Sequence, residues 1–147
     1  MNSIKEYLTN GHRECDELFA TMENSAMNNL CDAKEAYKKF VSETEKHFQQ
    51  EERVMFVEFE AKTGMVQGPT AMMRQEHTQM RNLMQQMGEA IDNDNKDKFF
   101  GLTETLMILL QQHNMKEEQM LYTMAQQHLS ADAPRIVEMM DSMIVSE

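Results

Sequence analysis

The sequence predicts an all-α protein that forms an up-down-up-down antiparallel four-helix bundle with a short C-terminal helix. The 147 residues include two prolines and five glycines, and residues with high helix propensity (Leu, Met, Ala, Glu, Gln and Lys) dominate. Four long segments repeat apolar residues at helical spacing, and short loops join them, as in an antiparallel bundle. We expect a single domain over residues 1–147, with the bundle spanning about 10–128.

The first half of the chain is expected to form two helices. A short N-terminal segment precedes the first helix, which spans residues 10–29 with Asn10 as its N-cap. The second helix follows an N-cap at Asp32, with a glutamate three residues later as in a capping box, and runs to about Lys62. Gly64 then allows the positive φ that often ends a helix.

The second half is expected to repeat this hairpin. Pro69 occupies the favoured first position of a third helix, which runs to about Ile91. The segment DNDNKD forms a turn, and the fourth helix covers roughly 96–128. After a break at a serine- and proline-containing segment, a short helix near 135–144 ends the chain.

Composition and charge limit the classes of partner. The net charge of −11 disfavours nucleic acid and anionic membranes, which attract basic patches, and suits the binding of a cation. No apolar run is long enough to span a membrane, and the N-terminus lacks a signal-peptide pattern, so we expect a cytoplasmic protein. Cys15 and Cys31 are expected to be reduced and unbridged. Seventeen methionines are expected to fill the core and not to bind copper, because they are spread through the helices.

The same His-x-x-x-Glu pattern opens two segments, HFQQEERVMF (47–56) and HNMKEEQMLY (113–122). Each places a histidine and a glutamate one helical turn apart on the inward face, so that a nitrogen and an oxygen can reach a common point. The first and third helices add one inward histidine each. The candidate metal ligands are therefore His12, His47, Glu51, His77, His113 and Glu117.

Beyond these glutamates, the inward apolar stripes are expected to continue in the same α-helical register. In the fourth helix the stripe would pass through Met120 and Met124, and in the second helix through Val54 and Glu58. Tyr122 is expected to be a packing residue with a partner for its hydroxyl, and His128 is expected at the surface, near the end of the fourth helix.

The spacing of the histidines repeats between the halves. His12 and His77 are 65 residues apart, and His47 and His113 are 66 apart. The chain thus resembles two hairpins related by a pseudo-two-fold axis, with all four imidazoles at one level of the bundle. Burying carboxylates without partners is costly, so the alternative is a metal-free bundle in which these groups pair with one another.

Four imidazoles and two carboxylates suit two metal ions. Each ion would take two histidines, and the two glutamates would bridge both ions. Imidazole suits Zn, Cu, Fe and Ni, whereas bridging carboxylates and an open position for a small ligand favour iron. Hydrogen-bond partners for the ligands are expected among Asp16, Glu43, Glu76 and Gln112.

Four segments in order, HRECDELF (12–19), HFQQEERVMF, TGMVQGPTAMMRQEHTQMRNL (63–83) and HNMKEEQMLYTMA (113–125), resemble the hemerythrin-like family of HHE cation-binding domains. The resemblance covers about residues 4–125 and is closest to bacterial single-domain members. It implies that the six candidate residues hold two Fe ions, with a bridging oxo, hydroxo or water between them.

The chain departs from the oxygen-carrying members of that family. Arg81 stands where they have a further histidine, and Glu118 matches the position of their final carboxylate. We expect Glu117 to be the ligand, because it repeats the geometry of Glu51. With four histidines the site is more similar to iron-centre repair proteins and to the iron-sensing domain of a ubiquitin-ligase adaptor. Val57 and Thr123 replace prolines that are common in relatives, which implies longer or straighter helices.

Several functions agree with this reading. The first is binding or sensing of O₂ or nitric oxide at the di-iron site, with any output passing to an unknown protein partner. The second is a stress response, either by donating iron to damaged iron–sulfur centres or by turning over nitric oxide or peroxide. Iron storage is a third, which two ions per chain serve poorly. Hydrolytic motifs are lacking, and Cys15, one turn from His12, is expected to be a packing residue or to have a redox role.

Overall fold

The computed structural model describes residues 3–146 and confirms the all-α fold. Four long helical segments form the bundle; the second and fourth each consist of two α-helices joined by a π-helical turn. The elements are α1 (Ile4–Asn28), a 3₁₀ turn (Leu30–Ala33), α2 (Lys34–Gln50), a π turn (Glu51–Met55), α3 (Phe56–Thr63), α4 (Pro69–Asp92), α5 (Lys96–Lys116), a π turn (Glu117–Leu121), α6 (Tyr122–Leu129), a 3₁₀ turn (Ser130–Asp132) and α7 (Ala133–Asp141).

The bundle is built from two hairpins, in which α1 packs mainly against α2 and α4 against α5. Short connections of this kind place consecutive helices side by side and antiparallel. Across residues 3–146, none of the helices is both long and apolar enough to cross a lipid bilayer.

The first helix begins at Ile4, so the prediction of a start at residue 10 is wrong. Ser3 is the N-cap, and its hydroxyl accepts a hydrogen bond from the Glu6 N–H at 3.2 Å. Ile4 and Leu8 are fully buried and extend the inward stripe by two turns. Their burial outweighs the cost, about 1 kcal/mol, of keeping Gly11 inside a helix.

The second helix is entered through a 3₁₀ turn, and Asp32 lies inside this turn and is not an N-cap. The side chain of Asn29 caps the turn by accepting a hydrogen bond from the Cys31 N–H at 3.0 Å. The other boundary signals are confirmed. Gly64 has a φ of 75° and ends α3, and Pro69 is the first residue of α4.

The π turns are the main departure from the expected straight helices. In each turn the hydrogen bond spans five residues and not four. The Phe56 N–H donates to the Glu51 carbonyl, and the Tyr122 N–H donates to the Glu117 carbonyl. Each turn therefore holds one additional residue, and every side chain beyond it is rotated relative to the α-helical register.

This rotation overturns part of the predicted inward stripes beyond the two glutamates; Val54 is buried as expected. Met120 is 43% exposed, whereas Leu121 and Tyr122 are fully buried. In the second long segment Glu58 is only partly buried, and Phe59 takes the inward position. The α-helical period therefore failed at Glu58 and Met120, because each π turn adds one residue before the next inward position.

Two apolar clusters lie on either side of the four histidines. One contains Ile4, Leu8, Phe59 and the buried residues of α6, and α7 adds Ile136 and Met140 to it. The other contains the inward residues of α1, α2, α4 and α5 beyond the histidines. The expectation that methionines fill the core is confirmed only in part. Among the described residues six methionines are exposed, and seven are buried: Met22, Met55, Met73, Met80, Met84, Met87 and Met140.

The short C-terminal helix spans Ala133–Asp141, and the predicted range of 135–144 was displaced by about one turn. Pro134 lies in its first turn, where a missing N–H costs nothing. The Gln50 side chain donates to the Met140 carbonyl at 3.0 Å and ties this helix to the end of α2. The tail therefore closes one end of the bundle.

Candidate metal centre

All six predicted ligand residues meet in the middle of the bundle, between the two apolar clusters. Each of the six residues is buried, with at most 5% of its surface exposed. The residues come from all four long helical segments, and both glutamates are the first residues of the π turns. The six are His12, His47, Glu51, His77, His113 and Glu117.

These side chains form two groups that share the two glutamates. The first group adds His12 and His47 to Glu51 and Glu117, and the second adds His77 and His113 to the same pair. In each group, four ligand atoms lie within 4.8 Å of one another. A first-row metal binds imidazole and carboxylate at roughly 2.0–2.2 Å, so ligands of one ion stand at most about 4.4 Å apart. Small side-chain adjustments bring either group into that range.

The glutamates are placed to connect the groups. Glu51 Oε1 lies 3.1 Å from His77 Nε2, and its Oε2 lies 3.7 Å from His47 Nε2. Glu117 Oε1 lies 3.0 Å from His12 Nε2 and 3.1 Å from His113 Nε2. Each carboxylate therefore reaches one histidine of each group, which is the arrangement of a bridging ligand.

Buried polar atoms at the centre lack hydrogen-bond partners. Across residues 3–146, the buried side-chain atoms without one include Glu51 Oε1, Glu117 Oε2, His77 Nε2 and His113 Nε2. An unsatisfied buried polar atom costs roughly 1–3 kcal/mol, and a ligated cation removes this cost for several atoms at once. The donor set and these atoms therefore fit a metal centre, and the same groups also lie within ion-pair distance of one another.

Three histidines are oriented by carboxylates on their outer nitrogens. His12 Nδ1 lies 2.7 Å from Glu118 Oε2, His77 Nδ1 2.7 Å from Glu52 Oε2, and His113 Nδ1 2.7 Å from Glu76 Oε1. Such contacts fix the ring and the tautomer, leaving Nε2 free to face a metal. Of the four partners expected from the sequence, Glu76 takes this role. Glu52 and Glu118 were missed, although each directly follows a predicted ligand.

Cations pair with two of the three outer carboxylates, Glu52 and Glu76. Arg81 makes two hydrogen bonds to Glu52, at 2.8 and 3.0 Å, and two more to Glu45. Lys116 pairs with Glu76. Arg81 thus supports His77 through Glu52, although relatives that carry oxygen have a histidine at its position.

His47 differs from the other three histidines, because its Nδ1 is buried without a partner. A Cβ on Gly11 would stand 2.5 Å from this atom, so the absence of a side chain at Gly11 makes room for the ring. A cavity of about 390 Å³ lies between α1 and α2 and reaches Gly11, Cys15 and His47, with Glu14 and Glu43 among its walls. This cavity therefore brings His47, a residue of the centre, to the wall of an opening between the helices.

Proton affinity at the centre is strongly shifted. Burial disfavours the imidazolium form of His12, but the carboxylate of Glu117 overcomes this and raises the pKa of His12 to about 9. Burial likewise opposes charge on His77, and its carboxylate neighbours raise its pKa to about 9. Burial and the charge of Glu117 raise the pKa of Glu51 to about 7. A metal ion must displace such protons to bind.

His47 has the opposite shift. Burial, followed by the charge of His12, lowers the pKa of His47 well below its usual value. Although burial opposes ionisation of Glu52, hydrogen bonds from His77 and Arg81 lower the pKa of Glu52 to about 2. Glu52 therefore remains a charged acceptor for the ring of His77 across the physiological range of pH.

The positions of the remaining residues singled out in the sequence show which of them face the centre. Glu117 is fully buried and faces the centre, whereas Glu118 lies outside it, with 37% of its side chain exposed. Cys15 lines the cavity, and burial raises the pKa of its thiol to about 11, which keeps it protonated. His128 is exposed, as expected.

Tyr122 is the functional candidate whose position the sequence reasoning missed. It is fully buried, and its hydroxyl lies among the donor atoms of the first group. The signal was present in the two repeated segments, because aligning HFQQEERVMF with HNMKEEQMLY sets Tyr122 against Phe56 at their final position. The α-helical period nevertheless placed Met120 inward. The prediction that Tyr122 packs with a partner for its hydroxyl is confirmed, but it did not identify Glu51 and Glu117 as the partners.

Comparison with protein families agrees with this geometry. The family model of the hemerythrin HHE cation-binding domain matches residues 3–125, which is most of the chain. No curated protein and no solved structure matches at a significant level. The matched range contains all six converging side chains and ends within α6, before the C-terminal helix. The chain belongs to the hemerythrin HHE cation-binding domain family.

Proposed function

We propose that this protein holds two iron ions and uses them to bind a small diatomic molecule, O₂ or nitric oxide. His12 and His47 would hold the first ion, His77 and His113 the second, and Glu51 and Glu117 would bridge both. The observation that carries the proposal is the pair of buried four-atom groups that share these two carboxylates.

The donor set supports iron. A site with two imidazoles and two shared carboxylates per ion mixes intermediate and hard donors, which suits iron better than a thiolate-preferring metal. When bound, iron supplies a redox-active centre with room for an additional small ligand. The surrounding negative charge, −11 over the chain, favours the approach of a cation.

The residues around the centre restrict what can reach it. Phe48 stacks on His77 with ring centroids 4.0 Å apart, and Phe56 lies on the same imidazole at 5.9 Å. These rings cover the imidazole of His77. The cavity beside Gly11 is lined by His47 of the first group and by neither histidine of the second. A buried centre beside a cavity of this size favours a small neutral ligand over a bulky substrate.

The alternative is a stress-response role, in which the iron is donated to damaged iron–sulfur centres or nitric oxide or peroxide is turned over at the pair. The same ligands serve both roles, and the two differ in how firmly the iron is held and whether a diatomic adduct is reversible. Storage is less consistent with a centre that holds two ions per chain.

The test is iron content per chain, followed by the visible spectrum under air and then under nitric oxide. Two irons with a reversible oxygen or nitrosyl band would support diatomic binding. Two irons that pass readily to a chelator, or that leave irreversibly under oxidant, would support the stress-response role. A chain that takes up no iron would overturn the proposal.

Matched variants test the bridging carboxylates. Glu51→Ala or Glu117→Ala should leave at most one metal per chain, because each removes a ligand from both ions. Glu104→Ala, at an exposed position of α5, should leave the content at two. Full occupancy in both of the first variants would show that neither glutamate bridges.

A further inference from the structure

The two halves of the centre differ by one hydroxyl group. The π turn after Glu51 leads to Phe56, and the equivalent turn after Glu117 leads to Tyr122. Each ring stacks on a histidine that comes from another helix. Phe56 and His77 lie 5.9 Å apart with planes at 17°, and Tyr122 and His12 lie 5.4 Å apart with planes at 26°.

The π turn is what aims the phenol at the centre. In a regular α-helix, the side chain five residues after an inward residue points about 140° away from it, because each residue turns about 100°. The wider π turn brings the fifth residue back toward the same face. Glu117 and Tyr122 therefore converge, and the Tyr122 hydroxyl lies 3.0 Å from Glu117 Oε1.

The hydroxyl is surrounded by the ligand atoms of the first group. Besides Glu117 Oε1, its oxygen lies 3.0 Å from His12 Nε2, 3.2 Å from His47 Nε2 and 2.5 Å from Glu51 Oε2. A phenol has one proton to donate and two lone pairs to accept with. Four polar neighbours exceed the three hydrogen bonds that it can make.

The distances match those between neighbouring ligands of one ion. Two donor atoms at right angles on a metal with bonds of roughly 2.1 Å stand about 3.0 Å apart. Three of the four distances from the Tyr122 oxygen are 3.0–3.2 Å. The phenol oxygen is therefore placed as another member of the ligand set.

We propose that Tyr122 is a fifth protein ligand of the ion held by His12 and His47, bound through its oxygen as phenolate. The inference rests on the proposed iron centre and deepens it. On binding, the O–H bond breaks heterolytically, the oxygen keeps the electron pair and donates it to the metal, and the proton leaves to solvent. No oxidation is required.

This ligand makes the two ions unequal. The first ion has five protein ligands, and the second has four, because Phe56 has no oxygen to offer. The asymmetry follows from one residue difference between two otherwise matching segments.

The test uses the full chain loaded with two ferric ions. Ferric phenolate absorbs visible light by charge transfer, and excitation in that band enhances tyrosine ring vibrations in the Raman spectrum. We expect both signals in the unaltered protein and a shift of the ring vibrations when it is produced with ring-deuterated tyrosine. Two bound ferric ions without these signals would overturn the inference and leave the iron centre standing.

Variants assign the signal to one residue. Tyr122→Phe should abolish both signals while keeping the buried ring. Tyr37→Phe, which removes a hydroxyl bonded to the Met84 carbonyl away from the centre, should retain them. Tyr122→Phe should also weaken the binding of one of the two ions by at least about tenfold, the lower end of the effect of losing an outer partner. Signals that persist in Tyr122→Phe would refute the assignment, whereas failure to bind iron at all would remove the proposed function itself.

Discussion

The four histidines of the centre differ in whether a carboxylate contacts the outer ring nitrogen, and single positions in the sequence account for the difference. Glu52 and Glu118 directly follow the buried glutamates of the centre and contact His77 and His12, so this contact is present in both halves. Glu76 directly precedes His77 and orients His113. The equivalent position before His12 is a glycine, and His47 accordingly lacks a carboxylate partner.

The outer contact of His12 gives a prediction about affinity. Glu118→Ala should retain two metals per chain at saturating iron but weaken one of them by roughly 10–100-fold, because the imidazole loses the partner that orients it. Metal titration against a competing chelator measures this. If the variant instead holds fewer than two metals at saturation, Glu118 and not Glu117 is the ligand.

Gly11 gives a second prediction at this scale. Gly11→Ala should displace His47 and lower metal content toward one ion per chain, since the new Cβ would lie 2.5 Å from His47 Nδ1. Gly101→Ala, in α5 with nothing within 4 Å of the new atom, should keep both ions. It should also stabilise the protein by about 0.5–1 kcal/mol through helix propensity. Equal metal content in both variants would show that His47 can move without loss of binding.

At the scale of elements, the π turns determine which residues of the second and fourth helical segments face the core. Each turn begins at a buried glutamate of the centre, Glu51 or Glu117, and accommodates one residue more than an α-helical turn. Without that residue the segment can form a regular α-helix. The ring of Phe56 or Tyr122 would then come four positions after the glutamate and would still lie on the same face of the helix. The elements beyond would keep their inward faces.

Deleting Met120, which is 43% exposed in the second π turn, should therefore preserve the fold and both metals. Deleting Met107, which is 37% exposed within α5, should rotate part of that helix by about 100° and abolish two-metal binding. Circular dichroism and metal content measure the two outcomes. Loss of both metals in the first deletion would mean that the π geometry itself is required.

At the scale of the whole molecule, the centre interrupts what would otherwise be one continuous core. Apolar clusters lie on both sides of it, and all four long helical segments meet there. Buried donors without partners weaken the bundle at its middle. A ligand that binds only the folded chain stabilises it in proportion to its affinity.

Metal removal should therefore destabilise the whole bundle. At free iron of about 100 times Kd, one bound ion contributes about 2.7 kcal/mol to the free energy of unfolding, and a chelator should remove this contribution. Urea denaturation with iron and with chelator measures the difference. Glu51→Ala should show a smaller one, because it retains at most one metal. Identical curves for the unaltered protein in both conditions would contradict a metal-linked fold.

Much of this architecture was predictable from local pattern. Periodic stripes identified four long helices, and Gly64 and Pro69 marked boundaries that the structure confirms. The start of α1 was mispredicted, because Asn10 is a good cap in isolation while burial of Ile4 and Leu8 depends on elements far along the chain. The stripe beyond Glu117 failed for a related reason, since helix propensity does not reveal a π turn.

The sequence by itself determined the fold class and which six side chains meet, because residue type and helical period are local properties and the 65- and 66-residue spacings set their levels. Only the tertiary structure decided how those side chains are supported. The contacts of Glu52, Glu76 and Glu118 join different helices. The position of the Tyr122 hydroxyl depends on the one additional residue in the π turn before it. Such details follow from the packing of elements against one another, and the pattern within a single helix does not contain them.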